Sequence, residues 1–565
     1  MSKLTVMSLP ADRPGLLKKI GVCATRQIRL VARLVMNDLI DYLISKSKTK
    51  RAVMLGRRHP PPPPEPAAAD VLIEAWPAVA VALLVCFFTW WRCARRKHPP
   101  TGLVRPPLAP GAVYGIGHAL RYKTDPAAFL SSACQTVGPV FRLNLAGKRM
   151  VVVGSHQTII KQVATASEKT LSARQAVAEI GFQETLGSLN VFVGTDIHKR
   201  WIKEAYGPHG PGLSGEIGPL WTALERALEV ERTVPRRASD MFALARATVL
   251  RCQMERFLGG PVLQAAGGGA FIDAFMTFQD GIEDATAKAA VLPRVLALPL
   301  VLWPVARTRR RLTARLAAAI RQAEHGVDPV ALGSWLHAML LPGSQRRPRE
   351  EIAELAIGLL FASHKNPSIG AAQTLCTLLG LGASHPTVRA VRIEAARLAA
   401  SPGAEVLASC HALQRCVLET LRLCAHAIGA VRTVVSESGF VLDSRFWVAP
   451  GETIALAHVA VHRSPEVWGA EATSFDPARL VYGAEGVAAT TPDEYEYTTF
   501  SQGLHKCPGE RLALLTMELL VAMLLAKGAV LEGPMPPVSF ERATLAQRDG
   551  PVAVQLAGPG VGVPK

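Results

Sequence analysis

The pattern of hydrophobic and polar positions along the chain is mainly helical, with a few short alternating stretches. Glu351 to Leu381 is a long apolar run with one proline inside it, and Leu512 to Leu525 is apolar and rich in helix-forming residues. Val140 to Leu145 alternates, a turn follows at Ala146-Gly147, and Lys148 to Val153 again has strand character. The pattern therefore predicts a mainly α-helical fold that carries a β-hairpin near its start.

Further short segments predict the rest of a small β lobe. Phe440 to Leu456 has the character of two strands around the turn at Pro450-Gly451, and Val552 to Leu556 resembles a last strand. Ser409 to Cys424 and most of residues 170–350 follow a helical pattern, which Pro and Gly interrupt.

One segment near the N-terminus has the length and flanks of a membrane helix. Val71 to Trp91 is apolar except for Glu74, ends in aromatic residues and is followed by arginines and a lysine. These features predict a transmembrane helix whose C-terminal side faces the cytoplasm. Residues 1–58 are also basic, so the distribution of positive charge does not indicate one orientation alone.

Composition and proline content divide the chain into four predicted parts. We predict a basic and proline-rich extension (1–70), the transmembrane anchor (71–91), a proline-rich linker (92–110) and a catalytic domain (111–565). The net charge of +18 indicates an anionic membrane surface or an acidic partner. Nucleic acid is disfavoured because the chain has no zinc-finger spacing and no aromatic-basic RNA motif.

A lone cysteine near the C-terminus carries the strongest chemical signal. Cys507 lies in a loop with glycines on both sides, Gly503 and Gly509, and the apolar helix pattern follows directly. Pro508 suits the first position of that helix, so Cys507 would lie at a helix N-terminus, where a thiolate is favoured. His505 adds positive charge nearby. A thiolate of this kind is a possible ligand of haem iron.

At this loop the chain resembles the cytochrome P450 superfamily. Six residues fall where the haem-binding loop of that family has its characteristic phenylalanine, glycine, Arg/His, cysteine, glycine and alanine; they are Phe500, Gly503, His505, Cys507, Gly509 and Ala513. The resemblance implies haem b bound through the Cys507 thiolate and a mostly helical fold with a β-rich lobe.

Two further motifs resemble the family in the expected order. Glu419-Thr420-Leu421-Arg422 resembles its second signature, and Arg479 lies in a loop whose arginine completes a triad with that pair. Arg432 falls where sterol-metabolising members place an arginine on a haem propionate, and a planar guanidinium suits a carboxylate. The resemblance implies that His505 is the second propionate partner.

The helix that would cover the haem departs from the family pattern. In the segment around Ala362, Ser363 replaces a glycine, Lys365 replaces the usual acid and Asn366 replaces the usual threonine. In the family the acid and threonine relay protons during oxygen activation. Pro367 frees the Ser363 carbonyl, which could hold a relay water. We therefore treat Asn366, Lys365 and Ser363 as candidate catalytic residues, with Ala362 against the haem.

This departure leaves more than one function open. Alanine and serine followed by asparagine resembles the bile-acid-type sterol hydroxylases, which are monooxygenases, whereas prostacyclin synthase, an isomerase, also has asparagine here. We predict a monooxygenase that oxidises a lipophilic, sterol- or terpenoid-like substrate, with electrons from NADPH through a cytochrome reductase. The alternatives are an isomerase or dehydratase that needs no O2, and a non-enzymatic haem sensor or carrier.

The resemblance also implies a location. The linker from Pro99 to Pro110 resembles the proline hinge of microsomal members, so we expect a single-pass protein of the endoplasmic reticulum with its catalytic domain in the cytoplasm. The apolar stretch Leu292 to Val305, followed by several arginines, is compatible either with contact to membrane lipid or with an ordinary core segment.

Overall fold

The computed structural model describes residues 98–556, except 114–115, 191, 193–194, 208–212, 291, 293, 327–330, 341–346, 480, 483–487, 490–494 and 543. One compact unit begins at Pro99. The predicted membrane helix from Val71 to Trp91 and the extension before it lie outside the described residues. Within the described ranges, no helix combines the length and hydropathy needed to cross a membrane.

Helices make up most of this unit, as the hydrophobic pattern predicts. In chain order they are α1 (Ala119–Thr124), α2 (Pro126–Val137), α3 (Gln157–Thr165), α4 (Ala173–Ile180), α5 (Phe182–Leu186), α6 (Ile197–Tyr206), α7 (Ile217–Arg232), α8 (Pro235–Ala238), α9 (Met241–Phe257), α10 (Gly260–Ala265), α11 (Gly269–Ala289), α12 (Arg294–Ala297), α13 (Trp303–Gly326), α14 (Ser334–Leu340), α15 (Arg349–Leu381), α16 (Pro386–Ala400), α17 (Ala404–Ala408), α18 (His411–Leu423), α19 (His458–His462), α20 (Pro465–Trp468) and α21 (Glu510–Ala526).

The strands are short and form one main sheet and four two-stranded sheets. They are β1 (Val140–Leu145), β2 (Lys148–Val153), β3 (Leu171–Ser172), β4 (Gly429–Val434), β5 (Phe440–Leu442), β6 (Phe446–Val448), β7 (Thr453–Leu456), β8 (Val481–Tyr482), β9 (Ala488–Ala489), β10 (Val530–Glu532), β11 (Val538–Ser539), β12 (Gln547–Arg548) and β13 (Ala553–Gln555). The main sheet has the order β1-β2-β7-β4-β3, in which only β2 and β7 are parallel.

The predicted strands are present, with one correction. The hairpin β1–β2 has the predicted bounds, with Val140 opposite Val153. Between Phe440 and Leu456 there are three strands instead of two, because an additional turn at Asp443 and Ser444 closes the pair β5–β6. Both turn residues have a left-handed φ, of 52° and 50°, which the sequence pattern did not reveal.

The long helix α15 is the centre of the helical core. Glu350 and Glu351 lie in its first turn, where carboxylates stabilise the helix by interacting with the positive end of its dipole. Its buried face packs on α9, α18 and α21. At Gly370 a Cβ would lie 2.5 Å from the Met517 sulfur, so this glycine lets α15 and α21 cross closely. The crossing fixes the helix that follows the cysteine loop against the helix that carries Ala362.

The segment predicted as a linker is partly packed on the sheet. Val104 forms a bridge with Phe446, and Ala109 is buried. Arg105 pairs with Glu452 at 2.9 Å. These contacts attach residues 104–109 to the β lobe.

Candidate active site

The cysteine loop is held by backbone hydrogen bonds at both ends. The Cys507 N–H donates to the Phe500 carbonyl at 2.8 Å, and the Gly509 N–H bonds to the thiol. Helix α21 begins at Glu510 with Gly509 as its N-cap, so the prediction that Pro508 is the first helical residue is wrong. Pro508 instead lies in the turn that joins the cysteine to the helix.

The two glycines of the loop serve different purposes. Gly503 has a φ of 65°, and a Cβ on it would overlap the carbonyl oxygen of Ala164 in α3. It therefore allows the loop to approach α3 closely. A Cβ on Gly509 would have no protein atom within 4 Å, so the space beside Cys507 is open there.

In the protein without haem, burial disfavours the thiolate form of Cys507. It raises the pKa of the Cys507 thiol to about 11, although the Gly509 N–H and the charge of Lys506 act in the opposite direction. The helix N-terminus thus does not by itself produce the expected thiolate. A metal ion provides a much larger local charge and deprotonates a thiol that coordinates it.

Arg432 is a buried cation that has no acidic partner among the described residues. It lies in β4, just after an irregular register that contains Ala430 with a φ of 48°. The residue is 5% exposed, and no carboxylate oxygen of the described residues lies within 4 Å of it; the Val431 carbonyl accepts from its Nη1 at 3.0 Å. Burial lowers the pKa of Arg432, while nearby Glu168 opposes this effect. Such a guanidinium suits an anionic ligand.

His505 lies beside the same acid. Its Nε2 is 2.6 Å from Glu168 Oε1, and Glu168 also accepts from the Ser172 hydroxyl at 2.8 Å. Burial lowers the pKa of His505, the positive charge of Arg432 lowers it further, and Glu168 opposes both. The structure therefore brings His505 and Arg432 into one electrostatic neighbourhood, which includes the acid that the sequence motifs did not indicate.

One face of α15 is open although the helix is otherwise mostly buried. Ala362 is exposed, and Asn366, one turn further on, is partly exposed. The Asn366 Oδ1 atom is buried and has no hydrogen-bond partner in the described part of the chain. An open alanine and an unpartnered amide oxygen on one face indicate a ligand space.

Ser363 is bonded in a way that the sequence did not predict. Its carbonyl, which Pro367 leaves without a helical donor, accepts from Gln253 Nε2 at 2.7 Å. Its hydroxyl donates to Gln253 Oε1 at 2.6 Å. Gln253 of α9 therefore donates a hydrogen bond to the Ser363 carbonyl, the group that the sequence suggested as a site for a relay water.

Lys365 is neither exposed nor directed at an open space. It is 4% exposed, and its Nζ lies 3.2 Å from Asp280 Oδ1 and 2.5 Å from Glu283 Oε1, both on α11. This lysine of α15 thus pairs with two acids from another helix.

The second motif forms a buried ion pair. Arg422 donates to Glu419 twice, from Nε at 2.7 Å and from Nη2 at 2.8 Å, and both side chains are fully buried. Arg479 is further away, with its Nε 3.9 Å from Glu419 Oε1, and it donates mainly to the carbonyls of Trp468 and Glu471. Arg422 also donates to the carbonyls of His462 and Ala472, and the Asp476 N–H donates to Glu419, so the pair joins α18 to residues 462–476.

These features fit a haem-thiolate group. The structure provides one cysteine in a glycine-bearing loop, an unpaired buried cation for a carboxylate, and an open face on α15 beside an unpartnered amide. Cys507 would hold the iron, and Arg432 and His505 would hold the propionates. The class of protein that the fold and site define is a haem-thiolate protein.

Comparison with known proteins agrees with this class. Residues 335–555 match the family model described as Cytochrome P450. Similar proteins include Cytochrome P450 714C2 of Oryza sativa subsp. japonica, which is 27% identical over 33% of this chain and 34% of its own length. Secologanin synthase 1 of Catharanthus roseus is 32% identical over 19% of this chain and 20% of its own length. The chain thus spans about a third or less of these two relatives.

Solved structures share the whole fold at low identity. The cytochrome P450DA heme domain has a TM-score of 0.63 and 18% identity, and the match covers 81% of this chain and 98% of that one. Retinoic acid bound cyanobacterial CYP120A1 has a TM-score of 0.62 and 19% identity, over 80% and 99%. Residues 335–555 thus match the cytochrome P450 superfamily, whose cofactor is haem with cysteine thiolate ligation of the iron, and the solved structures show the same fold.

Several residues of the site carry no recognisable signal in the sequence. Gln253 is one polar residue in a buried helix, 110 positions before the serine it contacts. Glu168, Asp280 and Glu283 are acids in unremarkable helical or loop segments. Only their three-dimensional contacts show that they lie beside predicted site residues.

Proposed function

We propose that this protein is a membrane-anchored haem-thiolate monooxygenase, which inserts one atom of O2 into a lipophilic substrate with electrons from NADPH. The observation that supports the proposal best is the Cys507 loop, in which the sulfur accepts the Gly509 N–H at the start of α21. When bound, a haem with a thiolate ligand supplies the chemistry of O–O bond cleavage.

The residues of the chain would bind the cofactor and shape the space for the substrate. Cys507 would be the iron ligand, and Arg432 and His505 would neutralise the propionates. Ala362 would leave room above the ring because it has only a methyl side chain, and Asn366 would offer its unpartnered Oδ1 as a hydrogen-bond acceptor. Glu419, Arg422 and Arg479 would hold the core that supports the cysteine loop.

The lipophilic character of the substrate is supported by aromatic residues near α15. Phe182 and Phe192 stack with ring centroids 5.1 Å apart, and Phe361 meets both at nearly right angles. Phe361 immediately precedes Ala362, so the cluster lies at the same turn of α15 as the exposed alanine. We propose a sterol-, terpenoid- or similar secondary-metabolite-like substrate.

Membrane attachment is proposed from two segments. Val71 to Trp91 would be the single span, with the catalytic domain on the cytoplasmic side of the endoplasmic reticulum. In the described part, Val295, Leu300 and Trp303 are 78%, 60% and 50% exposed. These apolar side chains would contact membrane lipid, and the electrons would come from a membrane-bound NADPH-cytochrome reductase.

Oxygen dependence tests the function. The protein would be combined with a reductase, NADPH and a lipid extract, and products would be compared by mass spectrometry under isotopically labelled O2 and under nitrogen. We expect products that contain one labelled oxygen atom only when O2 and NADPH are both present. Products that form equally under nitrogen would contradict a monooxygenase and support the isomerase or dehydratase; the absence of any product would support a sensor or carrier.

A further inference from the structure

His462, the last residue of α19, is a fully buried histidine that bonds through both of its ring nitrogens. Its Nδ1 lies 3.1 Å from the Arg422 carbonyl oxygen on α18, and its Nε2 lies 2.8 Å from the backbone nitrogen of Thr498. A carbonyl only accepts a hydrogen bond and a backbone N–H only donates one, so Nδ1 carries the proton and Nε2 accepts. The ring is therefore neutral and joins α18 to the segment that contains Thr498.

The surroundings of the ring keep it in this neutral form. Burial lowers the pKa of His462 well below its ordinary value of 6.5, and the positive charges of Arg422 and Arg463 act in the same direction. A proton on Nε2 would point at the Thr498 N–H. The contact with Thr498 therefore requires the neutral ring that burial favours.

Aromatic side chains fix the plane of the ring. Tyr497 stacks on His462 with ring centroids 5.4 Å apart and planes inclined by 24°, and Trp468 meets it at a right angle at 6.4 Å. The Tyr497 hydroxyl donates to the Leu418 carbonyl on α18 at 3.0 Å. The imidazole thus cannot turn without displacing the residue next to Thr498, and α18 holds this segment at a second point.

Backbone hydrogen bonds lead from Thr498 to the cysteine. The Thr498 carbonyl accepts from the Ser501 N–H at 2.9 Å, which closes a turn in which Ser501 has a left-handed φ of 57°. The Phe500 carbonyl, within this turn, accepts from the Cys507 N–H at 2.8 Å. Thr498 is fully buried, so its own N–H depends on the histidine for a partner.

We propose that His462 is a positioning residue of the candidate haem site, which holds residues 497–502 on α18 and so determines where the Cys507 thiol lies. Arg422 donates to the His462 carbonyl, and the Arg422 carbonyl accepts from the His462 ring. The histidine is thus fixed to the Glu419–Arg422 pair through both its backbone and its side chain, and one imidazole connects this buried pair to the cysteine loop. The inference rests on the proposed role of Cys507 as the iron ligand.

Two amide substitutions separate the two hydrogen bonds of the ring. His462→Gln places an amide oxygen near the Nε2 position, where it accepts from Thr498, whereas His462→Asn places an amide near the Nδ1 position and leaves the Thr498 N–H unpaired. His462→Phe keeps an aromatic ring and loses both bonds.

His118→Phe is the matched control, at a buried histidine that bonds in the same manner in another part of the fold. His118 is 1% exposed, its Nε2 lies 2.8 Å from the Ala109 carbonyl oxygen, and its Nδ1 accepts from the Asn144 N–H at 3.1 Å. These partners belong to β1 and to the segment before it. The control therefore removes a comparable pair of bonds without touching residues 497–502.

The first measurement is the rate at which iodoacetamide alkylates Cys507 in the full chain as purified with haem. This rate depends on how often the loop opens, and mass spectrometry of peptides assigns the modified residue. Cys252, which is buried in α9, is the reference in the same molecule because it reports unfolding of the helical core. We expect the ratio of Cys507 to Cys252 alkylation to rise about tenfold or more in His462→Asn and His462→Phe, since a buried unpaired N–H disfavours the closed loop.

The second measurement is the fraction of haem that shows the thiolate band in the reduced carbon monoxide complex. We expect this fraction to fall in His462→Asn and His462→Phe. His462→Gln should recover both the band and the alkylation ratio, because it keeps the acceptor for Thr498. His118→Phe should match the unaltered protein in both measurements.

The outcomes separate a positioning role from simple packing. Unchanged alkylation ratios in all variants would overturn the proposal, and so would equal effects of His462→Gln and His462→Asn, which would assign the histidine to packing alone. These two variants decide the point where His462→Phe does not fold. A thiolate band that is absent from the unaltered protein would contradict Cys507 as the iron ligand, whereas the alkylation ratios would still decide whether His462 holds the loop.

Discussion

Gln253 and Ser363 are joined by two hydrogen bonds that run in opposite directions. The amide nitrogen donates to the carbonyl that Pro367 leaves free, and the amide oxygen accepts from the hydroxyl. The proline of the long helix is thus compensated by a side chain from α9. The two hydrogen bonds hold the helix in place where Pro367 interrupts its backbone hydrogen bonding, at the turn that contains Ala362 and Asn366.

Removal of this side-chain amide should destabilise the protein. Gln253→Leu leaves the Ser363 carbonyl and hydroxyl without their partner, and each buried unsatisfied group costs about 1–3 kcal/mol. We expect the free energy of unfolding in urea to fall by about 2 kcal/mol or more. Ser363→Ala, which keeps the bond to the carbonyl, should cost less. Equal stability of Gln253→Leu and the unaltered protein would show that the proline needs no such compensation.

Arg432 should affect the haem-free and the haem-bound protein in opposite ways. Arg432→Met removes a buried cation that has no acidic partner within 4 Å in the part of the chain that the structure describes, so the free energy of unfolding without haem should be unchanged or higher, by about 1–3 kcal/mol. Haem affinity should fall about 10- to 100-fold, because a charge-assisted hydrogen bond contributes about 1.5–3 kcal/mol.

A matched substitution checks that this effect is local. Arg392→Met removes an arginine on α16 that donates to the Ala529 carbonyl, and it should leave haem affinity unchanged. Both quantities are measured by haem titration and by chemical denaturation. Equal loss of haem affinity in the two variants would contradict a propionate role for Arg432.

The Glu419–Arg422 pair should be important for stability. Glu419→Ala leaves the guanidinium of Arg422 buried at 0% side-chain exposure without its carboxylate, which should cost about 3–5 kcal/mol in the free energy of unfolding. Arg479→Met should cost less, since the Arg479 Nε is 3.9 Å from the acid. Denaturation curves of the two variants test this order, and a larger loss in Arg479→Met would reverse the assignment.

Acid should destabilise the protein through buried histidines. Burial lowers the pKa of His364 to about 3 and that of His458 to about 3, whereas a histidine in the unfolded chain titrates near 6.5. Between these values the unfolded state binds protons that the folded state does not, so stability falls as pH falls from about 6.5 towards 3.

A histidine variant isolates one part of this pH dependence. His364→Phe removes the titrating ring at a site that packs against Phe275. The free energy of unfolding of this variant should fall less steeply with decreasing pH than that of the unaltered protein. His411→Phe, at an exposed position, should leave the slope unchanged. An unchanged slope in His364→Phe would mean that this histidine is not kept neutral by the fold.

Local sequence patterns predicted the elements of the fold, and spaced motifs predicted part of the site. The hairpin at Val140–Val153 and the long helix ending at Leu381 follow from period-two and helical patterns. The Glu419–Arg422 contact follows from a spacing of three on one helix. Gln253 could not be predicted in the same way, because its partner lies 110 residues later and depends on how α9 packs on α15.

The partners of Lys365 could not be predicted from the sequence either. The sequence singled it out as a candidate catalytic residue but gave no partner for it. Asp280 and Glu283 lie more than 80 positions earlier, and only the packing of α11 against α15 brings them within contact. Likewise, the start of α21 at Glu510 depends on the backbone bond that closes the cysteine loop, which composition does not show.

The most direct test of the account is the absorption spectrum of the reduced protein with carbon monoxide, recorded for the unaltered chain and for Cys507→Ser. The account predicts the red-shifted band of a haem-thiolate in the unaltered protein and its loss in Cys507→Ser, with Cys410→Ser as a control that keeps the band. A haem-thiolate band that persists in Cys507→Ser, or an unaltered protein that binds haem without that band, would contradict the assignment of Cys507 as the iron ligand.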